Sequence, residues 1–117
     1  MQTFDQLMVY EEAFRLTEDI FRFMQDRKVS HRANHELLAS ASYLSASLAE
    51  MGAIDSVDAQ REMLLCCIGE ANETEFWLGT CRSLGLISQR EHLGCMDALM
   101  HIKSMLCGLQ AAVEAGN

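Results

Sequence analysis

The groups in this chain that could do chemistry are five cysteines, four histidines, a run of serines and scattered carboxylates. A reactive or metal-binding thiol needs a partner at the right spacing. Cys66, Cys67, Cys81, Cys95 and Cys107 are odd in number, and each falls inside a helical pattern. Adjacent Cys66 and Cys67 would project about 100° apart on a helix, so they are poorly placed to pair or to share a metal. No CxxC occurs. Buried free thiols in a reducing cytosol are the expected reading. His31 and His35 are four apart and could share a helix face, but no third ligand lies near them. Ser40, Ser42, Ser45 and Ser47 could act as nucleophiles only with a base held beside them. No motif supplies one, and serine hydroxyls on a helix bond back to their own backbone. The sequence therefore predicts no catalytic, cofactor-binding or metal-binding residues, no cofactor and no enzyme.

The elements that would carry these residues are all helices. The 117 residues contain no Pro and are half hydrophobic, with Ala, Leu, Met, Glu, Gln and Arg abundant. These are good helix formers. The length fits a single domain, 1–117, able to bury a core without staples. The stretch from Asp58 to Gly85 organises the rest. Leu64, Cys67, Ala71, Thr74, Leu78 and Cys81 follow alternating steps of three and four, the spacing of a core seam. A second apolar set, Leu65, Ile68, Phe76 and Trp77, falls off that seam. A helix that is apolar on more than one side is buried on more than one side. One face to the bundle core and one to another subunit is the expectation, since large exposed apolar patches on small proteins mark contacts.

Thr3 and Gln6 have capping-box spacing, so a first helix is expected from about Phe4 to Asp26. Leu7, Phe14 and Phe21 share one line along it, joined by Tyr10, Thr17 and Met24. Glu11 with Arg15, and Glu18 with Arg22, are i,i+4 pairs in the favourable order. A second helix should run from about Ser30 or Arg32 to Met51, with Leu37, Leu38, Ala41, Leu44, Leu48 and Met51 as its stripe. Its many Ala and Ser residues let neighbours approach closely, so it should be the most enclosed. Gly52 suits a left-handed residue after that helix. Asp55, Ser56 or Asp58 can cap the third helix. That helix should end at Leu84, followed by Gly85 and a buried Leu86–Ile87 turn. Ser88 and Glu91 form the strongest helix start in the chain. The fourth helix carries Cys95, Leu99, Ile102, Leu106, Leu109 and Val113, broadened by Met96, Met100 and Met105. Short connections between four long helices predict an all-α, antiparallel up-down-up-down four-helix bundle.

Charge narrows the partners. Nine Lys and Arg face seventeen Asp and Glu, a formal net charge of −8. Such a surface repels phosphate backbones, disfavours a general nucleic-acid binder and leans toward a basic protein partner. One basic window stands out: Arg22, Arg27, Lys28 and Arg32 against Asp26 alone. It could contact RNA or phosphate, or could simply complement the C-terminal end of the first helix. The acidic N-terminus has no compact apolar segment of a signal peptide, and no apolar run approaches the roughly 20 residues that span a bilayer. A cytoplasmic protein without membrane contact is expected.

The order of these features resembles the four-helix bundle family named after the protein encoded in the intervening sequence of bacterial large-subunit ribosomal RNA. The accessory variability determinant proteins of diversity-generating retroelements are similar. The resemblance rests on Phe4, Asp5, Leu7 and Tyr10 at the start of the first helix, and on Leu48, Ala49, Glu50 and Gly52 closing the second. It rests also on Gly69 and Glu73 in the third, and on Leu84, Gly85, Leu86 and Ile87 in the turn that follows. It implies a ring-like homopentamer of bundles, with a role in binding RNA, or a reverse transcriptase together with its RNA. Glu50 and Glu73 are the acids it carries over. Each is expected near the inward side of its helix, as an interhelical polar contact. Two Glu on facing helices would also suit a di-metal bundle, but that needs Glu-x-x-His on two helices. None occurs, and Glu91 and His92 are adjacent. The leading expectation is a non-enzymatic oligomeric scaffold or adaptor for an unidentified partner. The alternative is an RNA-associated or reverse-transcriptase accessory protein using the window 22–35.

Overall fold

A computed structural model describes residues 3–25 and 31–116. They form four α-helices: α1 (Phe4–Gln25), α2 (Arg32–Met51), α3 (Val57–Ser83) and α4 (Gln89–Ala115). No strand occurs among the described residues. Helices of 27 residues are about 40 Å long, and the molecule measures 47 × 20 × 20 Å. Its length is therefore that of its longest helices. Each helix packs against two others: α1 on α2 and α4, α3 on α2 and α4. The diagonal pairs α1 with α3 and α2 with α4 do not meet among the described residues.

The helix starts follow local chemistry. The Gln6 amide donates to Thr3 Oγ1, and the Thr3 amide donates to Gln6 Oε1, both at 3.1 Å. The Ser88–Glu91 box closes in the same reciprocal way, at 3.0 and 2.9 Å. Ser56 caps α3, its hydroxyl accepting from the Ala59 amide. His31 caps α2 through Nδ1, which accepts from the Ala33 amide at 3.0 Å. His31 Nδ1 is thus taken up by the cap, and His35 is exposed. At the end of α3, Gly85 has φ +74°. There the Leu86 amide reaches back to the Cys81 carbonyl and the Gly85 amide to that of Arg82. This is the Schellman arrangement, which needs a left-handed residue. Gly52 differs from expectation: it stays right-handed at φ −63°. The amides of Ala53 and Ile54 bond back three residues, to Glu50 and Met51, so α2 tightens into its turn and needs no reversal of φ.

The core is built from one stripe per helix. All six seam residues of α3, Leu64, Cys67, Ala71, Thr74, Leu78 and Cys81, are buried. α2 is the most enclosed helix, with nine buried residues against four to six on the others. Leu37, Ala41, Leu44, Leu48 and Met51 are buried there, and Leu38 is half-buried. On α4, Cys95, Leu99, Ile102 and Leu106 are buried, with Leu109 and Val113 packed against them. Ile87 plugs the α3–α4 turn.

α1 departs from the expected line. Its core stripe is Val9, Ala13, Leu16 and Ile20. The line of Leu7, Phe14 and Phe21 lies outside, each 40–49% exposed. The α1–α2 contact shows why. Thr17 Oγ1 lies 3.0 Å from the Ala41 carbonyl and 2.8 Å from Ser45 Oγ. A side chain touching the partner's backbone means a close approach, made possible by the small residues of α2. Small and medium side chains fit that gap, and phenyl rings are left outside it.

Candidate interaction surfaces

α3 was expected to carry a second apolar face, and the structure divides it. Leu65 and Phe76 stand on the outer crest, 54% and 61% exposed. They are eleven residues apart, which is three turns and nearly the same azimuth. Ile68 and Trp77 are half-buried and pack against the core. Ile68 shares the side of Glu75, whose carboxylate meets Lys103 of α4 at 2.6 Å. Trp77 shares the side of Cys81, whose thiol donates to the Ala33 carbonyl of α2 at 3.4 Å. Trp77 is edge-on to Phe76, centroids 4.9 Å apart at 82°. The half-buried indole thereby steadies an exposed ring. Between Leu65 and Phe76 lies Gly69, where an added Cβ would meet nothing within 4 Å.

α4 adds to the same side of the molecule. Leu93 and Met100 are exposed at 54% and 42%. They are seven apart, and Met100 lies three residues before Lys103, the residue that reaches α3. The α3–α4 side therefore presents all four along its length: the Arg61–Glu114 and Glu75–Lys103 pairs bring Phe76 level with Met100 and set Leu65 and Leu93 toward opposite ends. In the sequence Leu93 stands outside the expected α4 stripe, and Met100 broadens that stripe. The signal was their seven-residue spacing, one azimuth away from the seam of Cys95, Leu99, Ile102 and Leu106.

The other exposed apolar side lies along α1 and α2. Tyr10 and Phe14 stack at 6.0 Å and 27°. Phe21 lines an open groove of ≈ 340 Å³ with Thr17, Glu18, Arg22, Leu38 and Ser42. Heptad spacing of Leu7, Phe14 and Phe21 was the signal for this line, read without its outward direction.

The basic window is only partly described, since Arg27 and Lys28 lie outside the described residues. Arg22 is exposed and held by Asp19 at 3.2 Å and Glu18 at 3.7 Å. Arg32 is exposed and 3.8 Å from Glu36. Each arginine thus already has a carboxylate beside it. A second open groove, ≈ 490 Å³, brings Arg22 and Arg90 together with Asp19 and Glu91, a balanced charge set. Arg15 sits 3.6 Å from Glu12, where i,i+4 spacing pointed to Glu11.

Glu50 and Glu73 are both exposed, contrary to an inward position. Glu73 precedes the seam residue Thr74, and Glu50 precedes buried Met51. One residue is 100° of helix, so neighbours of a buried position turn away from it. The interhelical polar contacts are made by other residues: Glu75 with Lys103, Arg61 with Glu114 at 2.7 Å, and Thr17 with Ser45. Two buried side-chain atoms, Asn34 Nδ2 and Glu70 Oε1, have no hydrogen-bond partner among the described residues.

Cys67, Cys81 and Cys95 are buried free thiols as expected, whereas Cys66 and Cys107 are exposed, against the expectation for all five. Desolvation first, then the nearby Glu70 carboxylate and Cys66, push Cys67 up to about 12. Desolvation, with Asp19 and Glu91 behind it, does the same to Cys95. Burial raises Cys81 as well. A thiol held in its neutral form is a poor nucleophile. Among the described residues no group of three or more His, Cys, Asp or Glu could hold a metal ion. No helix among them is long and apolar enough to cross a membrane.

No protein-family model and no curated protein matches this chain. Its fold is similar to a crystal structure from Bacteroides thetaiotaomicron VPI-5482, that of a protein with unknown function from the S23 ribosomal protein family. The TM-score is 0.84 at 18% identity, over 92% of this chain and 98% of that one. At that identity the likeness shows a shared four-helix fold.

Proposed function

We infer that this protein is a non-enzymatic, ring-like homo-oligomer of up-down-up-down bundles that serves as a scaffold or adaptor. The antiparallel order is supported by two ion pairs between α3 and α4. Arg61, early in α3, meets Glu114, late in α4, whereas Glu75, later in α3, meets the earlier Lys103. The observation that carries self-association is Leu65, Phe76, Leu93 and Met100, all more than 40% exposed on one side of a small chain. Small monomeric proteins seldom leave so much large apolar surface uncovered along one side. Five chains is the number implied by the family that the sequence resembles. A scaffold of net charge −8 favours a basic protein as its partner. A ribosomal family name on a protein of the same fold keeps RNA association as the second reading.

Light scattering behind a sizing column, at low and high salt with nucleic-acid absorbance recorded, tests this. A nucleic-acid-free particle near five times the 13.1 kDa chain mass at both salts is expected. The same particle carrying nucleic acid that high salt strips off would move RNA to first place. A monomer would refute the assembly.

A further inference from the structure

We propose that the chains join head to tail, the α3–α4 side of one copy seated on the α1–α2 side of the next. This rests on the homo-oligomer reading and specifies its contact. The helices contact one another in the cyclic order α1, α2, α3, α4, with no diagonal contact among the described residues. The pair α1–α2 therefore lies opposite the pair α3–α4. Seven of the eleven exposed large apolar side chains among the described residues fall in two sets on these opposite sides; Phe4, Tyr43, Val57 and Leu84 lie outside both sets. One has Leu7, Phe14 and Phe21; the other has Leu65, Phe76, Leu93 and Met100. A large side chain about half uncovered exposes on the order of 100 Å², so each side offers about 300–400 Å² of apolar surface. That is the core of a standard interface, which covers about 800 Å² per partner once its polar rim is counted.

A contact pairing either side with itself would leave the other side uncovered. One head-to-tail contact covers both; it closes into a ring of five when each copy is turned by about 72° from the last, and without that turn it runs on as an open array. The chemistry of the two sides matches. The α1–α2 side is aromatic, with the Tyr10–Phe14 stack and a groove beside Phe21 floored by Leu38 and Ser42. The α3–α4 side supplies Met100, a flexible thioether suited to ring edges, and Phe76, a projecting ring. Gly69 and Gly79 interrupt α3 where an added Cβ would meet nothing within the chain. A mid-helix glycine costs about 1 kcal/mol against alanine. The missing side chains leave room for a neighbouring helix to approach.

Complementation of two variants tests the contact. Phe76→Glu spoils only the α3–α4 side, and Phe14→Glu only the α1–α2 side. Both positions are exposed, and melting followed by circular dichroism checks that each variant folds. Each variant alone should run at the 13.1 kDa chain mass, and an equimolar mixture should form a particle of twice that mass, since each supplies the intact side the other lacks. Should either variant misfold, Met100→Lys and Phe21→Lys replace the pair. Wild-type assembly persisting in one variant would overturn the proposal, as would two folded monomeric variants that stay monomeric when mixed. If the wild-type chain is itself monomeric, the homo-oligomer reading falls. If the wild type assembles but the variants do not complement, only the head-to-tail contact falls.

Discussion

Leu99 is fully buried at the middle of α4, surrounded by the stripes of the other helices. Truncating such a residue removes transfer energy and leaves a cavity, so Leu99→Ala should cost about 2–5 kcal/mol in chemical denaturation. Thr17 makes a different contribution. Its hydroxyl is shared among the Ala13 and Ala41 carbonyls and Ser45 Oγ. Thr17→Val keeps the shape and strands the buried Ser45 hydroxyl, at a cost of about 1–2 kcal/mol. The buried thiols add a pH dependence. Cys67 and Cys95 ionise only near 12 in the fold, against 9.0 for a free thiol. A raised folded value means that stability is complete below 9 and is lost as pH rises from 9 toward 12, because the unfolded chain releases its protons first. Each thiol contributes a slope of roughly 1.4 kcal/mol per pH unit in that window. Replacing both with Ala should flatten the alkaline limb of a denaturation series between pH 8 and pH 11, measured against each protein's own value at pH 8. An unchanged limb would mean that these thiols do not titrate as their burial requires.

At the scale of the element, caps and seams were legible because they depend on neighbours in the chain. Both capping boxes, the six-residue seam of α3 and the small-sided closeness of α2 could be read from spacing alone. Ser88→Ala removes one half of a reciprocal box and should lower stability by about 1 kcal/mol, seen as a shift in the denaturation midpoint. Two features were not legible. Gly52 and Gly85 both follow helices, yet only Gly85 takes a positive φ. Whether a helix tightens or reverses depends on where the chain must go next. The direction of the aromatic line on α1 was the second. Its heptad spacing matches a core stripe as well as Val9, Ala13, Leu16 and Ile20 do, and its larger rings make the stronger pattern. What decides is the distance to α2, set by Ala41 and Ser45 across the gap, and a single helix's periodicity carries no information about that distance. Glu50 and Glu73 were placed inward for a related reason: on helices with wide apolar stripes, one residue of azimuth separates inside from outside.

At the scale of the whole molecule, four stripes meet in one core, and two opposite sides remain apolar. The sequence held the first sign of this, in a third helix apolar off its own seam. Leu65 and Phe76 carry that surplus, whereas Ile68 and Trp77 spend theirs within the chain. The partner on the α1–α2 side was hidden, because it shows only after the core line of α1 is known. In the proposed assembly further copies of the chain cover these two sides. Sedimentation equilibrium of the intact protein at low micromolar concentration tests this most directly. A single species near five times 13.1 kDa is predicted, falling to one chain mass for Phe76→Glu. A wild-type protein that sediments at one chain mass throughout would rule the assembly out.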